Sequence, residues 1–142
     1  MRAVAVIPAG GWTGEARDRV VLDYDRRHRR RILLRTEGGA ECLLDLSEAA
    51  HLRDGDALRC EDGELIAVSA APEPLARITA GPALLIRLAW HLGNRHLDIA
   101  FESEALLIRA DHVIEAMVEG LGGDVAHLDA PFDPESGAYG HG

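Results

Sequence analysis

The chain has 142 residues and a formal net charge of −9, and all fifteen of its basic side chains are arginine. An acidic surface repels phosphate backbones, which argues against a nucleic-acid partner and suits cations or cationic protein surfaces. The length allows one ordinary domain or two small ones; units of about 70 residues lie near the lower limit for independent stability and gain from a partner surface such as a dimer interface.

The N-terminal MRAVAVIPAGG carries a short apolar run broken by Pro8. It lacks the longer apolar core and cleavage site of a secretory signal. No later segment reaches the roughly 18 to 20 apolar residues that cross a bilayer. The expectation is a soluble, cytoplasmic protein with no membrane partner.

Apolar and polar residues then alternate between glycine turns, the pattern of half-buried strands. RVVLDY (19–24), RRILLRT (30–36), AECLLDL (40–46) and ELIAVSA (64–70) read as strands, with strong turn signals at Asp54-Gly55 and Asp62-Gly63. Short strands at this spacing predict a compact β-barrel or sandwich. Cys42 and Cys60 fall in strand-like stretches, form no CxxC pair, and read as small buried hydrophobes. RRHRRR (26–31) is the one basic block. It reads as a solvated turn whose charges protect an edge strand, with docking onto an acidic partner as the functional alternative.

At AAPEP (70–74) the pattern changes, and two prolines in three residues read as a linker. LARITA (75–80) is a strand, and Pro82 opens a helix over ALLIRLAWHL that Gly93-Asn94 ends. LDIAFES (97–103) and ALLIRA (105–110) read as adjacent strands. Asp111 caps a helix over HVIEAMVEGL, Gly122-Gly123 stops it, and DVAHLDA (124–130) is the last strand. The order βαββαβ predicts a ferredoxin-like domain and an α+β chain. The expected boundaries are 1–71 for the β domain and 72–129 for the ferredoxin-like domain. Residues 130–142 form a flexible tail, mobile unless something anchors it.

Seven histidines are the informative residues: His28, His51, His91, His96, His112, His127 and His141. There is no HExxH arrangement, nucleophile elbow or glycine-rich phosphate loop. In HLGNRH (91–96), His91 lies in the helix and His96 just past it, placed to project outward. A single histidine is not a transition-metal site, which takes four or more ligands. By spacing alone a solvated side chain is the plainer account of His96.

HLGNRH, followed by DHV (111–113) and PFDPESGAYG, resembles the urease accessory protein UreE. The similarity extends back through LRDGDALRCEDGELIAVSAAPEPL (52–75) and more weakly over 18–46. The resemblance implies a β domain similar to chaperone peptide-binding domains, and a ferredoxin-like domain that binds metal and forms a homodimer. It implies that His96 meets its symmetry mate to hold Ni(II), with His112 lining a further site and His141 joining from the tail. It implies partners in a UreG-type GTPase and the urease apoprotein complex, and delivery of nickel without catalysis. Ala110 stands where some relatives carry a second histidine, and the tail holds His141 alone, so storage of several ions is not expected.

A two-fold axis doubles whatever lies near it, so one histidine per chain supplies two ligands. Two imidazoles also suit Cu(II) or Zn(II), and copper binds at least as tightly as nickel by the Irving–Williams trend. His91 is expected to pack, and His28, His51 and His127 to be solvated. The competing possibility is a non-catalytic adaptor with incidental metal binding. An enzyme built on Asp111 and His112 fails, because adjacent residues at a helix start diverge. A copper carrier of the paired-cysteine type lacks its thiols.

Overall fold

The computed structural model describes residues 1–135, and they fall into two compact units that divide between Ala71 and Pro72. The first holds six strands: β1 (Arg2–Ile7), β2 (Asp18–Leu22), β3 (Arg31–Arg35), β4 (Glu41–Asp45), β5 (Ala57–Cys60) and β6 (Leu65–Ala70). They form one sheet in the order β2-β6-β5-β1-β4-β3. Its two end strands meet where the Glu37 N–H donates to the Arg19 carbonyl at 2.8 Å, giving a nearly closed barrel. Inward-facing Val20, Leu22, Leu34, Leu44, Leu58, Ile66 and Val68 fill it. The strict in–out alternation of β2, β4 and β6 follows the two-residue period of their sequences.

Strand β1 carries no alternation in its sequence, yet it sits centrally, parallel to β4 and antiparallel to β5. The expected turns at Asp54-Gly55 and Asp62-Gly63 are present, and both glycines adopt positive φ (90° and 88°) that a side chain would oppose. Cys42 and Cys60 are buried free thiols in the barrel core. Burial pushes the Cys42 thiol up to about 11, well into the unreactive range.

The second unit has β7 (Pro72–Thr79), α1 (Pro82–Asn94), β8 (Ala100–Phe101), β9 (Leu106–Arg109), α2 (His112–Gly120) and β10 (Asp124–Pro131). The sheet order β10-β7-β9-β8, with every pair antiparallel, is the ferredoxin-like arrangement. Both helices cover one face: Leu88, Leu92, Ile114 and Val118 pack on Ala76, Ile78, Leu106 and Ile108. Fully burying a leucine such as Leu88 or Leu92 contributes about 1.5–3 kcal/mol.

Three segments differ from the sequence expectation. The 70–74 stretch is not a separate linker, because Ala71 alone separates β6 from β7. Pro72 and Pro74 are tolerated there because the Pro74 carbonyl, and hence its nitrogen, faces away from β10, accepting from Ala110 N–H at 3.0 Å. Of LDIAFES only Ala100–Phe101 pairs as a strand. The chain also stays attached beyond residue 129. Ala130 and Pro131 complete β10, Phe132 is fully buried, and Glu135 N–H bonds the Ile99 carbonyl at 2.9 Å. The remainder of the expected tail, including His141, lies outside the described residues.

Candidate metal centre

Helix α1 is positioned by its Leu88–Leu92 face and ends at the expected Gly93-Asn94 pair, with Arg95 as its cap. The Leu97 N–H reaches the Leu92 carbonyl at 3.3 Å and the His96 N–H reaches the Gly93 carbonyl at 3.0 Å. These two bonds make a Schellman motif, whose left-handed residue is His96 itself at φ 59°. His96 is the only non-glycine residue at positive φ among those described. Leu97 then turns into the core beside Leu92, the apolar contact that accompanies this motif. His96 is consequently exposed on a backbone fixed from both sides.

His112 is the first residue of α2 and is also exposed. Asp111 caps this helix, its Oδ1 accepting from Val113 N–H (3.0 Å) and Ile114 N–H (3.2 Å). Glu115 reaches back to accept from Asp111 N–H at 2.7 Å, a reciprocal bond like that of a capping box. Leu97, beside His96, and Asp111, beside His112, line one cleft together with Asp98, Arg109, Ile114 and Phe132. Asp98 accepts from the Arg109 guanidinium there at 3.2 Å. Among the described residues no three or more histidine, cysteine or carboxylate side chains converge as a ready-made cage. His96 and His112 therefore each need ligands from elsewhere.

His91 is half-buried against the edge of Trp90, ring centroids 5.1 Å apart, a packing position. His28 and His51 are not the freely solvated side chains expected. They stack at 4.9 Å, with Tyr24 edge-on to both rings. Arg27, in the middle of the basic block, is 1 % exposed and braces the two loops, its Nε donating to the Leu22 carbonyl and its Nη1 to that of Leu52. Arg26, Arg29, Arg30 and Arg31 stay exposed. His127 likewise is not simply solvated, since its Nε2 bonds the buried Glu115 carboxylate. These contacts join residues far apart in the chain, and spacing gave no signal of them.

A six-strand near-barrel followed by a ferredoxin-like domain, with an exposed histidine at the end of its first helix, defines a small two-domain α+β protein. The N-terminal domain model of the UreE urease accessory protein matches residues 2–71, and the C-terminal domain model matches 73–142. The chain belongs to the UreE urease accessory protein family. It is 56% identical over 140 residues to the urease accessory protein UreE of Bradyrhizobium sp. (strain ORS 278), covering 98% of this chain and 67% of that one. It is 51% identical over 141 residues to that of Rhodobacter capsulatus (99% and 88%), and 50% identical over 140 to that of Beijerinckia indica subsp. indica (98% and 81%). It spans about two thirds of the length of the Bradyrhizobium relatives. No helix among the described residues is long and apolar enough to cross a membrane.

Proposed function

We propose that the chain is a nickel metallochaperone. Two copies hold one Ni(II) between their His96 imidazoles and deliver it to the urease apoprotein in a cytoplasmic complex with a UreG-type GTPase. The observation that carries this is the left-handed, exposed His96 at the end of a rigid helix. Glycine is the favoured residue at that position, so a histidine there trades stability for an imidazole aimed outward. Along the same helix Ile86 and Trp90, four residues apart, are 73% and 64% exposed, an apolar stripe fit for a second copy around a dyad. Residues 1–71 serve as the partner-binding domain, and 72 onward as the metal-binding and dimerisation domain.

Two imidazoles leave the remaining coordination positions to water, His112 or His141, and easily replaced ligands suit a carrier. Cu(II) and Zn(II) fit the same donors, so nickel identity rests on supply and partners. The protein acts as a carrier and not a catalyst. The test is calorimetric titration with nickel beside native mass spectrometry. Wild type is expected to bind one tight ion per dimer. His96→Ala is expected to lose that ion, and an unchanged affinity removes the assignment. A second reading, an adaptor with incidental metal binding, draws on exposed Arg26, Arg29 and Arg31 as a dock for an acidic partner. It predicts a dimer that binds no metal tightly.

A further inference from the structure

We infer that His127 and Asp129 form a second metal site, on strand β10, for a divalent late first-row ion such as Cu(II) or Ni(II). In this site buried Glu115 orients the imidazole from behind. β10 pairs with β7 without interruption from Asp124↔Thr79 to Pro131↔Pro72, so residues two apart share a face. His127 and Asp129 are such a pair, roughly 6.5–7 Å apart at Cα by strand geometry, and both are exposed on an edge strand. Their shared face is the one the helices cover, which is how His127 meets Glu115 on α2.

The contact with Glu115 decides which nitrogen is available. An ionised carboxylate oxygen only accepts, so with Glu115 ionised the His127 Nε2 facing its Oε1 carries the proton. In the neutral ring the lone pair is then on Nδ1, and the imidazole side chain is 66% exposed while the Glu115 side chain is only 10% exposed. The second oxygen of Glu115 is occupied by the Asp111 N–H. Glu115 thus fixes the ring without competing for the ion, the role that a carboxylate behind a ligating histidine plays in protein metal sites. Asp129 has no ion pair or hydrogen bond among the described residues and can supply a hard oxygen donor. The field is favourable too: residues 72–142 carry eleven carboxylates against four arginines.

One imidazole and one carboxylate, completed by water, hold an ion weakly and release it quickly, with Cu(II) bound more tightly than Ni(II). Such a site suits passage of an ion better than its storage. It is independent of the His96 dyad and is tested without it. The His96→Ala/His112→Ala/His141→Ala variant is titrated with Cu(II) and with Ni(II), followed by calorimetry and by paramagnetic broadening of histidine ring signals. One weak ion per chain, broadening His127 first, is expected. His127→Gln, which keeps an amide donor for Glu115, abolishes it; Asp129→Asn weakens it; Glu115→Gln weakens it about ten- to hundredfold. Should Glu115→Gln fail to fold by circular dichroism, the exposed Asp129→Asn still decides. Absence of any residual ion, or its persistence in His127→Gln, overturns the site.

Discussion

At His96 the backbone and the side chain have opposing interests. A left-handed conformation costs an L-residue about 1 kcal/mol or more through crowding of Cβ against the backbone, and glycine escapes that cost. The two carbonyl–amide bonds of the Schellman motif and the Leu97 contact hold the histidine there regardless. His96→Gly is therefore expected to raise the thermal midpoint, or leave it unchanged, while removing the tight nickel site. An alanine at the same position keeps the strain and loses the ion as well. Thermal unfolding beside nickel titration separates a structural histidine from a functional one, since a structural histidine would lose stability in both variants.

Scaled up to elements, the cap of α2 links fold and site. Asp111 satisfies two free amides of the first turn, and replacing such a cap by alanine costs about 0.5–2 kcal/mol. Asp111→Ala is expected to lower the unfolding free energy by about 1 kcal/mol, while Asp111→Asn retains most of it. Urea denaturation measures the difference; equal midpoints for Ala and Asn would remove the cap's role. This helix start was legible in the sequence, as were the other helix and most strands, because capping residues and hydrophobic period are local signals. β1 was not legible, since Ala3–Ile7 are apolar on both faces and offer no polar alternation, although the strand pairs with a neighbour on each side. The end of α1 at Gly93-Asn94 was legible, but the left-handed residue that closes it is His96 and neither of that pair. His96 and His112 were named from a motif, but their neighbours' shared cleft is a product of tertiary packing. The stacked His28–His51 pair and the Glu115–His127 contact join residues 23 and 12 positions apart and leave no periodic trace.

Taken as a whole molecule, the chain distributes its charge and its exposed apolar surface unevenly. Residues 1–71 carry eleven arginines against thirteen carboxylates, so most of the net charge of −9 belongs to the ferredoxin-like unit. That unit concentrates cation attraction where the histidines lie, and it also exposes Ile86 and Trp90 on α1. Trp90 lies six residues before His96 and, like Ile86, faces away from the Leu88–Leu92 core. If the stripe packs on a second copy, Trp90→Asp places two like charges near the dyad and removes two aromatic anchors at once, a loss large enough to separate a small interface. The expected outcome is a folded monomer by light scattering with near-native circular dichroism, and nickel binding reduced to the weak level of a single imidazole. A Trp90→Asp protein that stays dimeric and keeps one tight ion would show that the copies meet elsewhere, and the shared-ion arrangement would then need a different face.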